Sequence, residues 1–265
     1  MKIIDAFPFF NELKLLDLRL NILDKYVDKF ILVEATRSHQ DKPKPLFYNE
    51  NKHLFEKFNH KIEHVIVDDL PSHTYWSHET YQRDCIMKGL KDEHHPDDII
   101  FISDLDEIWN PVTLLPHLSQ LSDSHIYRWQ SLICYFYFNL VASSNYWVQP
   151  MFLKYSLLKK LVDKGYSISI DILRNQENKT DIHNVILPDL NGWHFSYTES
   201  PTYKLQNFLH SEYSNLTEEY IKECIGKKIN PFHKNEMNII KNELLDSYLP
   251  PYVVSNKEQY KDLIL

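Results

Sequence analysis

Glycine is scarce in this chain: Gly89, Gly165, Gly192 and Gly226 are the only four among 265 residues, and no two are close together. Walker A and Gly-x-Gly-x-x-Gly loops need clustered glycines so that the backbone can approach phosphate, so neither loop is encoded. A diphosphate bound here must be held by a cation and by side chains. Cysteine is nearly as sparse. Cys85, Cys134 and Cys224 are far apart and form no Cys-x-x-Cys pair, which excludes a zinc knuckle or redox dithiol of that type and fits a reducing compartment. Basic residues are outnumbered, and a formal charge of -8 with a pI near 5.9 argues against a dedicated nucleic-acid binder. No stretch approaches the roughly 20 apolar residues of a membrane span. The opening MKIIDAFPFF is broken by Asp5 and Pro8 and lacks a continuous apolar signal region, so no integral membrane segment and a cytoplasmic setting are expected. Asn178 and Asn215 match Asn-x-Thr, a weak signal on its own.

What is present reads as one α/β domain over 1–265, with 43% hydrophobic residues to fill a core. Lys2 to Ala6 predicts a strand, and Asn11 a cap for a helix whose Leu13, Leu16, Leu20 and Leu23 share a face. Lys29 to Glu34 predicts a second strand, Asn49 to Phe58 a helix and Ile62 to Val67 a third strand. Ser77 is placed to cap a helix running to Leu90, and Asp98 to Ile102 predicts a fourth strand. Strand and helix alternate, so the central sheet is expected to be mainly parallel and flanked by helices. The division expected is a first half over 1–110, a second over 111–231 and a helical tail over 232–265. In the second half, Ile126 to Phe138 predicts a strand, Lys154 to Lys164 a helix, and Ser200 with Pro201 the capped start of another helix. The tail helix is expected over Glu236 to Tyr248.

Ligands of such sheets bind beyond the carboxyl ends of the strands. That rule places Phe7, Glu34, Asp68, Asp69 and the run Asp104 to Glu107 along one edge. Asp104 and Asp106 follow a buried strand directly and flank Leu105, so both carboxylates can emerge on one side. Their oxygens suit Mg²⁺ or Mn²⁺ carrying substrate phosphates. The same tripeptide also fits a solvated acidic turn before a helix near Pro111. A haloacid-dehalogenase-type phosphatase is a further reading, although Ile108 stands where that pattern has Thr or Val and three strand-helix units precede the motif. Gln82 and Arg83 lie on the helix beside this edge. Arg83 suits a diphosphate, or a surface ion pair with Glu79 or Asp84. His194, in Gly-Trp-His-Phe-Ser-Tyr, suits a third metal ligand or a packed imidazole. Lys204 suits a departing diphosphate or plain solvent. The aromatic residues Tyr127, Trp129, Tyr135, Phe136, Tyr137 and Phe138 suit a core or the apolar face of a sugar ring.

Taken together, these segments resemble glycosyltransferase family 17. They are IIDAFPFFNELKLLDLRL at Ile3 to Leu20, DKFILVEAT at Asp28 to Thr36, KPKPL at Lys42 to Leu46 and VDDLP at Val67 to Pro71. ETYQRDCIMKGL at Glu79 to Leu90, DDIIFISDLDEI at Asp97 to Ile108 and NGWHFSY at Asn191 to Tyr197 complete the order. The resemblance implies a GT-A type fold, a divalent cation at Asp104 and Asp106, and inverting transfer of N-acetylglucosamine from UDP-GlcNAc to a glycan hydroxyl. Lys204, in Tyr-Lys-Leu, also matches the pattern. Donor contacts are then expected at Phe7, Glu12, Glu34, Gln82, Arg83, Asp104 and Lys204, and metal ligands at Asp104, Asp106 and His194. The general base is expected to be Glu107, with Glu212 and Asp189 behind it. Residues 139–190 match only loosely and are expected to form the acceptor pocket. Two other classes stay open: a metal-dependent phosphohydrolase, and a nucleotide-sugar or glycan-binding protein without turnover.

Overall fold

The computed structural model describes residues 1–71, 75–90, 94–142, 146–173, 183–207 and 211–265. Strand β1 (Ile3–Phe9) is apolar along almost its whole length and is buried on both faces, as a central parallel strand must be. Helix α1 (Leu13–Leu23) buries Leu15, Leu16, Leu18, Leu20 and Leu23 and, among them, Arg19. Asn11 does not cap it. The cap position is Glu12, with no side-chain bond to its own helix. The free backbone N–H groups of Lys14 and Leu15 instead donate to the Glu199 carboxylate at 3.2 and 2.7 Å. A carboxylate there satisfies two orphan donors and complements the helix dipole.

Strands β2 (Lys29–Ala35) and β3 (Ile62–Val67) continue the parallel order. The helix expected over Asn49 to Phe58 is instead two shorter pieces, Phe47–Glu50 and a tighter stretch Lys52–Phe58 kinked at Phe55. Helix α2 (Tyr75–Asp84) begins before Ser77, which therefore lies inside it, and a separate turn Ile86–Gly89 follows. Strand β4 (Ile99–Ile102) pairs with β1 in parallel and delivers the chain to the acidic run.

Across β3-β2-β1-β4 the sheet is parallel; beyond β4 it turns antiparallel. The later strands are β5 (Glu107–Trp109), β6 (His125–Tyr135), β7 (Leu140–Ala142), β8 (Met151–Lys154) and β9 (His183–Ser196). β8 docks on β4 and β6 on β8, both antiparallel, while β9 runs parallel to β6 and carries β5 on its other edge. The result is a mixed ten-stranded sheet flanked by helices, in keeping with a GT-A type α/β fold. Phe101 stacks between Trp109 and Phe152 at 4.2 and 4.9 Å, locking β4, β5 and β8 together.

Helix α3 (Tyr155–Asp163) covers one face, and α4 (Pro201–Leu205) opens with Pro201 as expected. Ser200 makes no cap bond, because its backbone is left-handed at φ 43°. Helix α5 (Glu218–Gly226) is capped by Thr217, which accepts from the Tyr220 N–H. The tail begins with strand β10 (Met237–Ile239) rather than a helix at Glu236. It pairs with the edge of β7, where unpaired backbone groups reward an extended Met-Asn-Ile segment. Helix α6 (Asn242–Tyr248) follows. No helix among the described residues is long and apolar enough to cross a membrane. The Asn178 sequon lies outside the described residues.

Candidate functional site

The acidic run is shaped from below by Arg19. This fully buried guanidinium donates twice to Asp5, at 2.8 Å each, and once to the Ser103 hydroxyl. Its third nitrogen donates to the carbonyls of Asp104, Leu105 and Glu107 at 2.8, 3.1 and 3.0 Å. One planar fork thus fixes the loop from beneath. From above, strand pairing does the same. Glu107, Ile108 and Trp109 of β5 lie opposite His194, Trp193 and Gly192 of β9. The two motifs that stand far apart in sequence meet as neighbouring strands. A Cβ at Gly192 would sit 2.6 Å from both the Ile108 carbonyl and Trp129 Nε1, so only glycine lets β9 pass this close.

Each aspartate meets a buried cation. Asp104 accepts from Arg83 at 2.6 Å, and Arg83 also donates to Glu79 and to Ser169. Asp106 accepts from Lys204 at 3.0 Å, and the same ammonium pairs with Glu12 at 2.8 Å. Burial works against both positive charges. Asp104 and Glu79 more than offset it at Arg83, and Asp106 and Glu12 at Lys204, so both cations are held protonated above their ordinary values. Burial likewise opposes ionisation of Glu12, but Lys204 prevails and its pKa falls. Glu107 accepts from the Asp104 N–H at 2.7 Å through one oxygen and from the Trp147 indole through the other.

These groups line one cleft of about 540 Å³. Pro8, Phe9, Phe10, His39 and Gln82 form one side, at the ends of β1 and β2. Gln82 donates to the Phe9 and Val33 carbonyls, tying those strand ends together, and meets His39 at 3.1 Å. Burial lowers the His39 pKa and keeps the ring neutral. Tyr135, Ser196, Tyr197, Tyr213, Phe232 and His233 form the other side. There β6 and β9 end in left-handed aromatic residues, Phe136 at φ 67° and Tyr197 at φ 55°. Each costs about 1–3 kcal/mol, a strain that clusters at functional sites.

A profile of glycosyltransferase family 17 matches residues 1–159, more than half the chain. The chain belongs to glycosyltransferase family 17. The β-1,4-mannosyl-glycoprotein 4-β-N-acetylglucosaminyltransferases of Rattus norvegicus and Homo sapiens are each 30% identical to this family 17 chain over 119 residues. The match covers 40% of it and 21% and 22% of those proteins, so the chain spans about a fifth of the length of the relatives it matches. Among solved structures, a mannosyltransferase from Pyrobaculum calidifontis in complex with GDP-Man and Mn²⁺ overlaps 73% of this chain and 56% of its own, at 9% identity and TM-score 0.46. S. aureus TarS 1–349 overlaps 100% and 83% at 14% identity and TM-score 0.43.

Of the residues expected in the site of this family 17 member, Glu12, Gln82, Arg83, Asp104, Asp106, Glu107, His194, Lys204 and Glu212 all line the cleft. Three others do not. Phe7 faces the core beneath Arg19, with the guanidinium 4.5 Å from its ring centre. Glu34 is fully buried and accepts from the Tyr48 N–H and His64 at 3.0 Å each, anchoring the Phe47–Glu50 turn. The edge rule put both at the strand ends, but side chains alternate along a strand and theirs point inward. Asp189 is exposed on β9 at φ 66°, outside the cleft lining. Asp69, also on the expected edge, is exposed and instead accepts from Tyr81 and Lys88. Arg19, Trp147, Tyr197, Tyr213 and Phe232 were not read as site residues; Arg19 carried a signal as a charge among leucines, and Tyr197 as the end of the Asn191 to Tyr197 segment.

Among the described residues, no group of three or more His, Cys, Asp or Glu side chains is disposed as a ready metal cage. The donor set is of another kind. Asp106 and His194 stand 3.8 Å apart with Asp104 two residues away, and Mg²⁺ or Mn²⁺ commonly takes one or two carboxylates and completes its shell with phosphate oxygens. A cation held at this pair would therefore need phosphate oxygens to complete its shell.

Proposed function

We propose that this chain transfers a sugar from a nucleotide diphosphate donor, N-acetylglucosamine from UDP-GlcNAc, to a glycan hydroxyl with inversion. The observation that supports this best is the pair of aspartates on a loop clamped by Arg19, each matched to a buried cation at the floor of a 540 Å³ cleft. A P-loop would supply backbone N–H groups to phosphate; here charge does that work. Asp104, Asp106 and His194 would hold Mn²⁺ or Mg²⁺, which when bound would neutralise the diphosphate.

Arg83 and Lys204 both line the cleft and supply fixed positive charge to the leaving group. Pro8, Phe9 and Phe10, with neutral His39, receive the nucleoside. In a single displacement the acceptor oxygen bonds to the anomeric carbon, the bond to diphosphate breaks and its electron pair stays with UDP. The acceptor proton passes to a carboxylate. Glu107, the first expectation for that base, has both oxygens engaged in holding the loop, so it is assigned a positioning role. Glu212, an exposed residue that also lines the cleft, takes the role of base.

Incubation with a panel of nucleotide sugars and Mn²⁺ tests this. Release of free UDP from UDP-GlcNAc, faster with a β-mannosyl acceptor, is the expected result. Phosphate release from p-nitrophenyl phosphate would point to a phosphohydrolase, and nucleotide binding without turnover to a binding protein.

A further inference from the structure

We propose that Tyr135, Tyr197, Tyr213 and Phe232, with Glu212 and His233 at the rim, form a pyranose subsite that holds the acceptor glycan beside the acidic loop. The assignment rests on the transferase reading above. Its geometry is that of one hub and three blades. Phe232 lies 5.5 Å from Tyr135, 5.0 Å from Tyr197 and 5.1 Å from Tyr213, centre to centre. Tyr135 and Tyr197 stack on each other at 6.3 Å. The three tyrosines are half-buried, so they are neither pure core nor free surface.

Such a wall suits a sugar. The C–H face of a pyranose lies against aromatic rings while its hydroxyls reach polar groups at the edge. The wall begins beside the acidic loop, because Lys204, 3.0 Å from Asp106, is also 5.5 Å from the Tyr197 ring centre. An acceptor held there lies next to the diphosphate end of the donor. Glu212 can accept a sugar hydroxyl, and the cleft offers the nucleoside a separate stretch of lining at Pro8, Phe9 and Phe10. The two left-handed aromatic residues, Phe136 and Tyr197, turn the ends of β6 and β9 toward Phe232, so strained backbone is held where the wall forms.

The test is saturation-transfer-difference NMR on the full chain with methyl β-D-mannopyranoside and N,N′-diacetylchitobiose as probes. Tyr213 is the position to vary, since it sits on the short turn Ser211–Tyr213, whereas Tyr197 is part of the strand ending. Ring-proton signals from at least one probe are expected with the wild type, and Tyr213→Phe should keep them. Tyr213→Leu should weaken binding about tenfold, the scale of a lost aromatic stack. Saturating UDP should leave the sugar bound. Displacement of the sugar by UDP would overturn the proposal, because the wall would then hold the nucleoside. So would no signal from either probe, or unchanged affinity in Tyr213→Leu with a native circular dichroism spectrum. If sugar binding follows the expected pattern but no nucleotide sugar is turned over, the subsite stands and the transferase reading fails.

Discussion

Arg19 binds Asp5 through two nitrogens and the acidic run through three backbone carbonyls, all with no solvent exposure. Truncating one partner of a buried ion pair leaves the other charge uncompensated, so Arg19→Met is expected to lower stability by about 3–5 kcal/mol. Urea unfolding measures it, and a loss under about 1 kcal/mol would contradict the role. Arg19→Lys should recover little, because an ammonium cannot reproduce the planar fork. At this scale the sequence was legible where a residue type has few uses. The acidic run, Arg83, His194 and Lys204 were all singled out, and the structure brings them together in one cleft. Partners were less legible. Arg83 was read against a surface pair with Glu79 or Asp84, yet it is buried and bridges Glu79 to Asp104. Phe7 and Glu34 were misplaced because a rule about strand ends says nothing about which way each side chain points.

At the scale of elements, α1 depends on a carboxylate from far along the chain. Burial raises the Glu199 pKa to about 7, against the bonds it accepts from Leu15 and Lys14. A carboxyl whose folded pKa exceeds its unfolded value binds more protons when folded, so its contribution is fully present below about pH 4.5 and is lost as pH rises through about 7. The wild type should therefore lose stability between about pH 5 and 8 relative to Glu199→Gln. Urea midpoints of both proteins across that range check it; parallel curves would show that Glu199 does not titrate there. The strands and first helix were predictable from apolar runs and leucine spacing. Their caps were not. Asn11 and Ser200 are good capping types, but Glu199 outcompetes the first, and a left-handed backbone removes the second. Strand β10 also escaped prediction, because its extended form depends on the edge of β7, a tertiary fact.

At the scale of the whole molecule, the cleft lies where the parallel half meets the antiparallel half. β4 brings the aspartates from one side, and β6 and β9 bring aromatic residues, His194 and the approach to Lys204 from the other. The alternating first half and the family resemblance made the parallel side of the cleft readable. The antiparallel side was not, since Tyr197, Tyr213 and Phe232 are scattered and converge only through the ends of β6 and β9 and the segments after them. The central claim is that Asp106 works with the buried Lys204 on a nucleotide-sugar diphosphate. Its most direct test is the rate of N-acetylglucosamine transfer from UDP-GlcNAc with Mn²⁺, for the wild type and Asp106→Asn, alongside thermal unfolding of both. Lys204 keeps Glu12 as a partner in the variant, so the fold should persist. The account predicts that the wild type turns over and that Asp106→Asn is slower by about 10²-fold or more, the scale of a lost electrostatic contact in a transition state. A folded Asp106→Asn enzyme working at the wild-type rate would contradict it.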